Sequence, residues 1–362
     1  MTKQSGNFPT ASVKGGQLGK IEASAPCRVD MGGTLDISTF FYPLRRLGPC
    51  TVNMALNLRT RVTLVPNRNP KVRVSSRGFQ SAEYAIEDAP FQHPLGLIFA
   101  IAAFFRVEGV HILIDSASPP KSALGGSSVA AVALVAAFAR AQGQIQTLTP
   151  ALRTKIALLA HEIEASVSGV PCGLQDQLAA AFGGVHAWYW QADLNGPGFK
   201  RRTLLDRKAF KKIERHLLLA YCGVPHESKN INARWVGQFL KGSHRDRWQE
   251  IVSCTHRFAE AIATEDYIAA AAAMNRETAI RRKMTPDVLD AVGRRLVDAA
   301  VRFHCGARFA GAGGGGCIWA LGNLDDIDRL RGSWETILSE RTDARLLAAQ
   351  IDAEGLCLTH VP

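Results

Sequence analysis

ALGGSSVAAVALVAAFA, residues 123–139, joins glycines and serines directly to an almost unbroken apolar stretch. Three readings compete for it: a buried structural helix, a membrane segment, or the start of a helix that holds a phosphate. The apolar part, VAAVALVAAFA at 129–139, spans only about 16 Å as a helix, against roughly 30 Å of bilayer core. Its dominant residue is alanine, which suits tight helix packing. The membrane reading fails. Gly125 and Gly126 remove side chains where backbone N–H groups must approach a ligand, while Ser127 and Ser128 can cap the helix or offer oxygens to a cation. The first turn leaves its N–H groups unpaired and carries about half a positive charge, so it attracts phosphate. No Gly-Lys-Ser/Thr closes the loop, so this is not the Walker pattern. On these residues alone, a merely capped helix and a phosphate loop both stay open.

The chain has 362 residues, 47% hydrophobic and 21% charged, the balance of an ordinary soluble globular protein with about two domains. A net charge of +11 suits an anionic ligand. The basic residues are spread along the chain with no aromatic-interleaved stripe, which points to phosphorylated small molecules rather than nucleic acid. Eight cysteines, none with CxxC spacing, fit reduced thiols in a cytoplasmic protein better than disulfides or zinc. The start, MTKQSGNFPTASVKGGQLGK, has no apolar secretory core, so residues 1–20 read as a flexible leader.

Around the opening stretch the order is helix (HPLGLIFAIAAFFRV, 93–107), strand (GVHILIDSASPP), Gly/Ser turn, helix. LTPALRTKIALLAHEIEASV places Leu152, Ile156, Leu159, Ile163 and Val167 at helical spacing, with Thr149 as cap and Pro150 at the first position. GVHAWYW reads as a strand and DLNGPG, 193–198, as a hairpin connection. Helices dominate after residue 205, which sets a domain boundary there: 21–205 and 206–362.

Three further segments carry candidate chemistry. GARFAGAGGGGCIWAL, 306–321, holds five glycines at 311 and 313–316, more than a turn needs, as if backbone fitted closely around a bound group; a flexible hairpin is the plainer reading. APCRVDMGGTLDIS, 25–38, sets Arg28 in a strand before a Gly-Gly turn, either as a surface residue or facing an anion. GVPCGLQDQLAAAFGG places Asp176 at the entrance to an apolar helix, as cap or as functional carboxylate. Glu164 lies about 80–90° from the centre of its helix's apolar face, at the edge of the buried side, where a carboxylate needs a partner such as a cation; Glu162 lies outside it.

APCRVDMGG, PPKSALGGSSVAA, GVPCGLQDQ and GARFAGAGGGGC, in that order, resemble the motifs of the GHMP kinases, over about residues 23–335. GVPCGLQDQLAAAFGGVHAW and RKMTPDVLDAV resemble most the bacterial D-glycero-D-manno-heptose phosphate kinases and fucokinase-like relatives. The resemblance implies an α+β fold of two domains, the N-terminal one like the second domain of ribosomal protein S5, the C-terminal one ferredoxin-like. It also implies Mg-ATP with its phosphates on Ala123, Leu124, Gly125, Gly126, Ser127 and Ser128, and Mg²⁺ held by Ser127 (or Ser128, one position on) with Glu164. Asp176 would deprotonate or orient the acceptor hydroxyl, and Arg28 would stabilise that carboxylate and the transferring phosphoryl group. Such roles suit phosphoryl transfer, which asks mainly for positioning and charge neutralisation. A carboxylate beside an arginine is expected to stay ionised.

Departures narrow the acceptor. Ala123 replaces the first glycine of the family loop, which implies that this position avoids a positive φ. Gly32-Gly33-Thr34-Leu35-Asp36 lacks the Glu-His of galactokinases, arguing against galactose and leaving Asp36, with Thr34 and Gly33, on the sugar. Gly313 and Gly314 would line the substrate. His226, Ser228 and Lys229 either contact substrate or are surface loop residues. Arg281, Arg282 and Lys283 form a positive cluster that suits a sugar phosphate, or an ordinary solvated helix end. The reading is an ATP-dependent kinase for the anomeric hydroxyl of a heptose or heptose phosphate. Its alternatives are a same-fold kinase for fucose, galactose or mevalonate, and a nucleotide-binding regulator without catalysis.

Overall fold

The computed structural model describes residues 12–192, 196–225 and 229–360. The chain begins with β1 (Val13–Lys14), β2 (Ile21–Met31), α1 (Ser38–Leu44), β3 (Cys50–Pro66), β4 (Val72–Ser76) and β5 (Ala82–Tyr84). It continues through α2 (Gly96–Phe104), β6 (Val107–Glu108), β7 (Val110–Ser116), α3 (Gly126–Ala141) and α4 (Pro150–Ser168). Next come α5 (Gln175–Phe182), β8 (Val185–Trp190), β9 (Phe199–Leu205), α6 (Arg207–Glu214) and β10 (Leu217–Tyr221). A helical run follows: α7 (Lys229–Leu240), α8 (Arg245–Ala263), α9 (Tyr267–Met284) and α10 (Ala291–Arg302). The last elements are β11 (Gly306–Phe309), β12 (Cys317–Leu321), α11 (Leu324–Leu338), β13 (Arg345–Leu346) and β14 (Cys357–His360).

The larger sheet is built on β3, whose 17 residues pair with β2 along most of its length, with β8 at one end and with β7 at the other. Helix α3 is buried from Ser128 to Ala139, as a helix apolar on every side must be. Its alanines allow it to lie close against β2, β3, α2, α4 and α5. On α4 the Thr149 Oγ1 accepts the Leu152 N–H at 3.3 Å, and Pro150 starts the helix. The strand order β11-β12-β10-β13, all antiparallel, is a β-α-β-β-α-β unit with spatial order 4-1-3-2, the ferredoxin-like arrangement. Both halves thus have the expected α+β architecture.

Two expectations about chain organisation need correcting. The leader is not free up to residue 20: Val13–Lys14 pairs in parallel with Val107–Glu108, and Val13 is buried. Nor does 206–362 stay with the second sheet. Ile351 bridges Leu56, Asp352 pairs with Arg59, and β14 lies antiparallel on β2. Without that returning segment β2 would present an open edge. Residues 193–195 of the β8–β9 connection lie outside the described residues.

Strand β2 aims the functional face. Its register with β3 shifts between Pro26 and Cys27, a bulge of the kind that re-aims side chains beside functional sites. Beyond the bulge Cys27, Val29 and Met31 join the apolar core. By the two-residue alternation of a strand, Arg28 and Asp30 point together to the opposite face, and both are buried.

The loop before α3 answers to Arg28, and here the sequence expectation fails. Ala123 takes φ +64°, inside the left-handed region it was expected to avoid. That conformation presents the Ala123 carbonyl to Arg28 Nη1 at 2.8 Å, while the Arg28 N–H donates to the Leu124 carbonyl at 3.2 Å. A left-handed alanine costs about 1 kcal/mol, and glycine would remove the cost. Ala123→Gly is therefore expected to raise the unfolding free energy by about 0.5–1 kcal/mol, read by denaturant titration; a loss of stability would show that the alanine methyl matters more than its backbone strain.

Candidate active site

Asp176 lies in the first turn of α5. Arg28 meets it as a fork: Nε donates to Oδ1 at 2.7 Å and Nη2 to Oδ2 at 2.9 Å. The third face of the guanidinium holds the Ala123 carbonyl, so one side chain ties the strand, the Gly/Ser loop and α5 together. A Cβ on Gly125 would lie 3.0 Å from Asp176 Oδ2, which puts the carboxylate against the loop. The sequence reading had the arginine alone settle this carboxylate's charge. Burial outweighs the two Arg28 bonds, and the Asp176 carboxyl lies above the ordinary range, a direction that suits a proton acceptor working near neutrality.

The N–H groups of the first turn of α3 have no intrahelical partner, and its N-cap Gly125 is left-handed at φ +82°. Of the loop residues, Leu124 has its side chain in the core and its carbonyl on Arg28. Gly125, Gly126 and Ser127 are at the accessible turn, while Ser128 is buried. The Ser128 Oγ donates to Glu164 Oε2 at 2.7 Å, and Gln177 Nε2 donates to the same oxygen at 2.7 Å. The nearby Ser127 hydroxyl also favours the ionised form of Glu164. Burial pushes the Glu164 carboxyl up to about 7, with only neutral donors bonded to it. Glu162 is exposed, on the other side of the helix.

Magnesium was implied by resemblance, and the donor set fits it. Two adjacent oxygen donors, one a carboxylate that no arginine pairs, suit a hard cation that keeps waters and takes its remaining ligands from phosphates. No cluster of three or more His, Cys, Asp or Glu that could hold a metal by itself occurs among the described residues.

On the acceptor side, Asp36 is buried and its Oδ2 accepts the Gln175 N–H at 3.0 Å, so it caps the helix that carries Asp176. Its Oδ1 has no hydrogen-bond partner among the described residues. A side chain on Gly173 would collide with this carboxyl. Burial first, then the nearby Asp176 and Asp30 charges, push Asp36 up to about 7. Gly33 and Thr34 are engaged by the protein itself: the Gly33 carbonyl accepts Arg281 Nη2 at 2.6 Å and Thr34 Oγ1 lies 3.4 Å from Nη1.

Arg281 was placed with Arg282 and Lys283 in a cluster for a sugar phosphate, and the structure separates them. Arg281 is fully buried between Trp235 and Trp248, its Cζ 4.5 and 4.6 Å from the ring centres. Arg282 pairs with Asp298, and only Lys283 is exposed. The glycine run also departs from expectation. Side chains at Gly313 and Gly316 would collide with the backbone of Val288 and Ser122, so the run fits closely around other parts of the chain. Gly311 alone lies at the Arg28 cluster, its N–H donating to Asp30 Oδ1 at 2.7 Å. His226 and Ser228 lie outside the described residues, and Lys229 begins α7.

What the sequence reading missed is a line of buried charge. Asp30 Oδ1 is 3.6 Å from Arg28 Nη1 and Oδ2 is 3.0 Å from Arg308 Nη1. Arg308 Nε reaches Glu277 Oε2 at 3.0 Å, and Arg281 Nε reaches Glu277 Oε1 at 2.8 Å. Three arginines (28, 281, 308) balance Asp30, Asp176 and Glu277. Asp36 and Glu164 are left with no arginine of their own. The signals available were Asp30, two residues from Arg28 on one strand face, and Arg308, a lone cation in an apolar strand.

Asp36 and Glu164, the two carboxyls pushed up to about 7, set a pH dependence. A carboxyl raised on folding favours the folded protein while protonated; that contribution is complete below pH about 4 and is lost as pH rises through about 7. In ligand-free protein with EDTA, Asp36→Asn and Glu164→Gln should each lose less thermal midpoint than the wild type between pH 5 and 8. Curves parallel to the wild type would contradict the burial of these groups.

Residues 94–184 match the GHMP kinases N terminal domain. The chain is 22% identical over 330 residues to the mevalonate kinase of Thermococcus sibiricus, covering 83% of this chain and 89% of that one. It is also 22% identical over 317 residues to the D-glycero-alpha-D-manno-heptose 7-phosphate kinase of Campylobacter jejuni, covering 83% and 88%. The crystal structure of a D-glycero-D-manno-heptose 1-phosphate kinase from Bacteroides thetaiotaomicron superposes with a TM-score of 0.70 at 18% identity, over 94% of this chain and 99% of that chain. No helix among the described residues is long and apolar enough to cross a membrane. With its four motifs, this fold and a GHMP kinases N terminal domain at residues 94–184, the chain is similar to GHMP kinases over most of its length and is a phosphotransferase of that type.

Proposed function

We propose that the protein transfers the γ-phosphoryl group of ATP to a sugar hydroxyl, with the anomeric hydroxyl of a heptose or heptose phosphate as acceptor. The observation that carries this reading is the Arg28–Asp176 fork set against the N-terminus of α3. A hydroxyl nucleophile and a triphosphate need a proton acceptor, a fixed cation and phosphate-binding N–H groups in one place, and these three meet here.

In this reading the phosphates lie on the first turn of α3, where the N–H groups of Gly126 to Ser128 and the helix dipole face them. Ser128 and Glu164, with Ser127 beside them, would hold Mg²⁺, which supplies charge neutralisation at the phosphates. Asp176 takes the proton of the attacking hydroxyl as the new O–P bond forms, and ADP departs with the electrons of the broken P–O bond. Arg28 keeps Asp176 oriented through two bonds and carries positive charge toward the transferring group. Asp36 Oδ1, buried and unpartnered, is the acceptor-side polar atom best placed to pair with a sugar hydroxyl.

Charge supports a neutral acceptor. Arg28, Arg281 and Arg308 are each paired with carboxylates already, so none is spare for an acceptor carboxylate such as that of mevalonate. Unpaired hydrogen-bonding capacity at Asp36 suits a neutral polyol. With Arg281 buried, a phosphate on the sugar loses the cluster assigned to it from sequence.

An ADP-release assay with Mg-ATP against heptose, heptose 7-phosphate, fucose, mannose, galactose and mevalonate tests the reading. A heptose is expected to turn over, and Asp176→Asn to lower kcat by roughly a hundredfold or more. Turnover of mevalonate alone, or full activity of Asp176→Asn, would overturn the assignment of acceptor or of base; ATP binding with no turnover of any acceptor would favour the non-catalytic regulator.

A further inference from the structure

We propose that Glu277, Arg281 and Arg308 are positioning residues through which the second half of the chain fixes the acceptor loop relative to the catalytic carboxylate. The proposal rests on the kinase reading for its kinetic consequence, though not for its structural one. The charges alternate without a gap: Asp176, Arg28, Asp30, Arg308, Glu277, Arg281. One end is the proposed base on α5. The other end is the Gly33 carbonyl in the acceptor loop, held by Arg281 Nη2 at 2.6 Å. The line leaves the site through β2, passes β11 and α9, and returns to the loop that follows β2.

Each link is specific in geometry. Arg308 bridges two carboxylates, its Nη1 on Asp30 Oδ2 at 3.0 Å and its Nε on Glu277 Oε2 at 3.0 Å. Glu277 Oε2 accepts Arg308 Nε at 3.0 Å, while its Oε1 accepts Arg281 Nε at 2.8 Å and Arg308 Nη2 at 3.4 Å. Burial pushes the Glu277 carboxyl up, but its two arginines pull harder and leave it below the ordinary range. Arg281 Cζ lies over the rings of Trp235 and Trp248, 4.5 and 4.6 Å from their centres, so two indole faces help to orient it toward the loop. Gly33 fills the remaining gap, since a side chain there would collide with Asp30.

Stability alone does not require this arrangement. Apolar side chains of similar volume often serve as well as a buried ion network. A charged line whose two ends are the base and the acceptor loop has a positional use, because small misplacements at a reacting centre are costly in rate.

Arg281→Lys is the decisive variant. A lysine keeps the charge and can still pair with Glu277, but a single ammonium cannot hold Glu277 and the Gly33 carbonyl in the arginine's fork geometry. Hydrogen–deuterium exchange of the ligand-free protein should rise roughly tenfold in peptides spanning 31–37, with peptides spanning 124–132 unchanged. With whichever sugar turns over, the acceptor KM should rise roughly tenfold while the KM for ATP stays within about twofold. Glu277→Gln should reproduce the exchange pattern; if it does not fold, Arg281→Lys still decides. Unchanged exchange at 31–37, or a uniform rise across the chain, would overturn the proposal. The exchange readout stands even when no sugar in the panel reacts, so its failure is separable from failure of the kinase reading.

Discussion

The structure depends on one buried guanidinium. Arg28 is almost wholly removed from water, and an unpaired charge there would be prohibitive. Its surroundings supply the compensation: the Asp176 fork, the Asp30 carboxylate and the Ala123 carbonyl. Each partner comes from a different element, so satisfying this one group fixes β2, α5 and the loop before α3 in mutual position. The left-handed Ala123, whose carbonyl Arg28 holds, is a local cost that accompanies this arrangement.

Around that centre two kinds of rigidity are combined. Helix α3 is held mainly by apolar packing, its alanines letting it lie close to the sheet and its neighbouring helices. Its N-terminus therefore projects N–H groups from a fixed base. The acceptor side is held instead by charge and hydrogen bonds, from Asp36 on the Gln175 N–H and from Arg281 on Gly33. Charges left over when the arginines are counted against the carboxylates, at Glu164 and Asp36, lie where a cation and a polyol are proposed to bind. A binding site is expected to carry such unmet demands, and a purely structural core is not.

Local patterns were legible in the sequence: the cap and apolar stripe of α4, the all-apolar α3, the order of four motifs and the edge position of Glu164. These are short-range signals, set by periodicity, capping and glycine placement. What the sequence did not disclose depends on partners far away in the chain. Arg308 meets Asp30 across 278 positions, and the return of β14 to β2 has no local marker. Arg281 was misplaced because three consecutive cations at a helix end read alike, although helical geometry turns Arg281 inward and Lys283 out. Ala123 was misjudged because residue type was weighed without the carbonyl that Arg28 requires.

The most direct measurement is a crystal structure with magnesium and a non-hydrolysable ATP analogue. The triphosphate is expected on the N–H groups of Gly126 to Ser128, with the cation bonded to Ser128 and Glu164 and the Arg28–Asp176 fork intact. A nucleotide bound away from the α3 N-terminus, or Arg28 swung off Asp176 in the complex, would contradict the central role given to that pair.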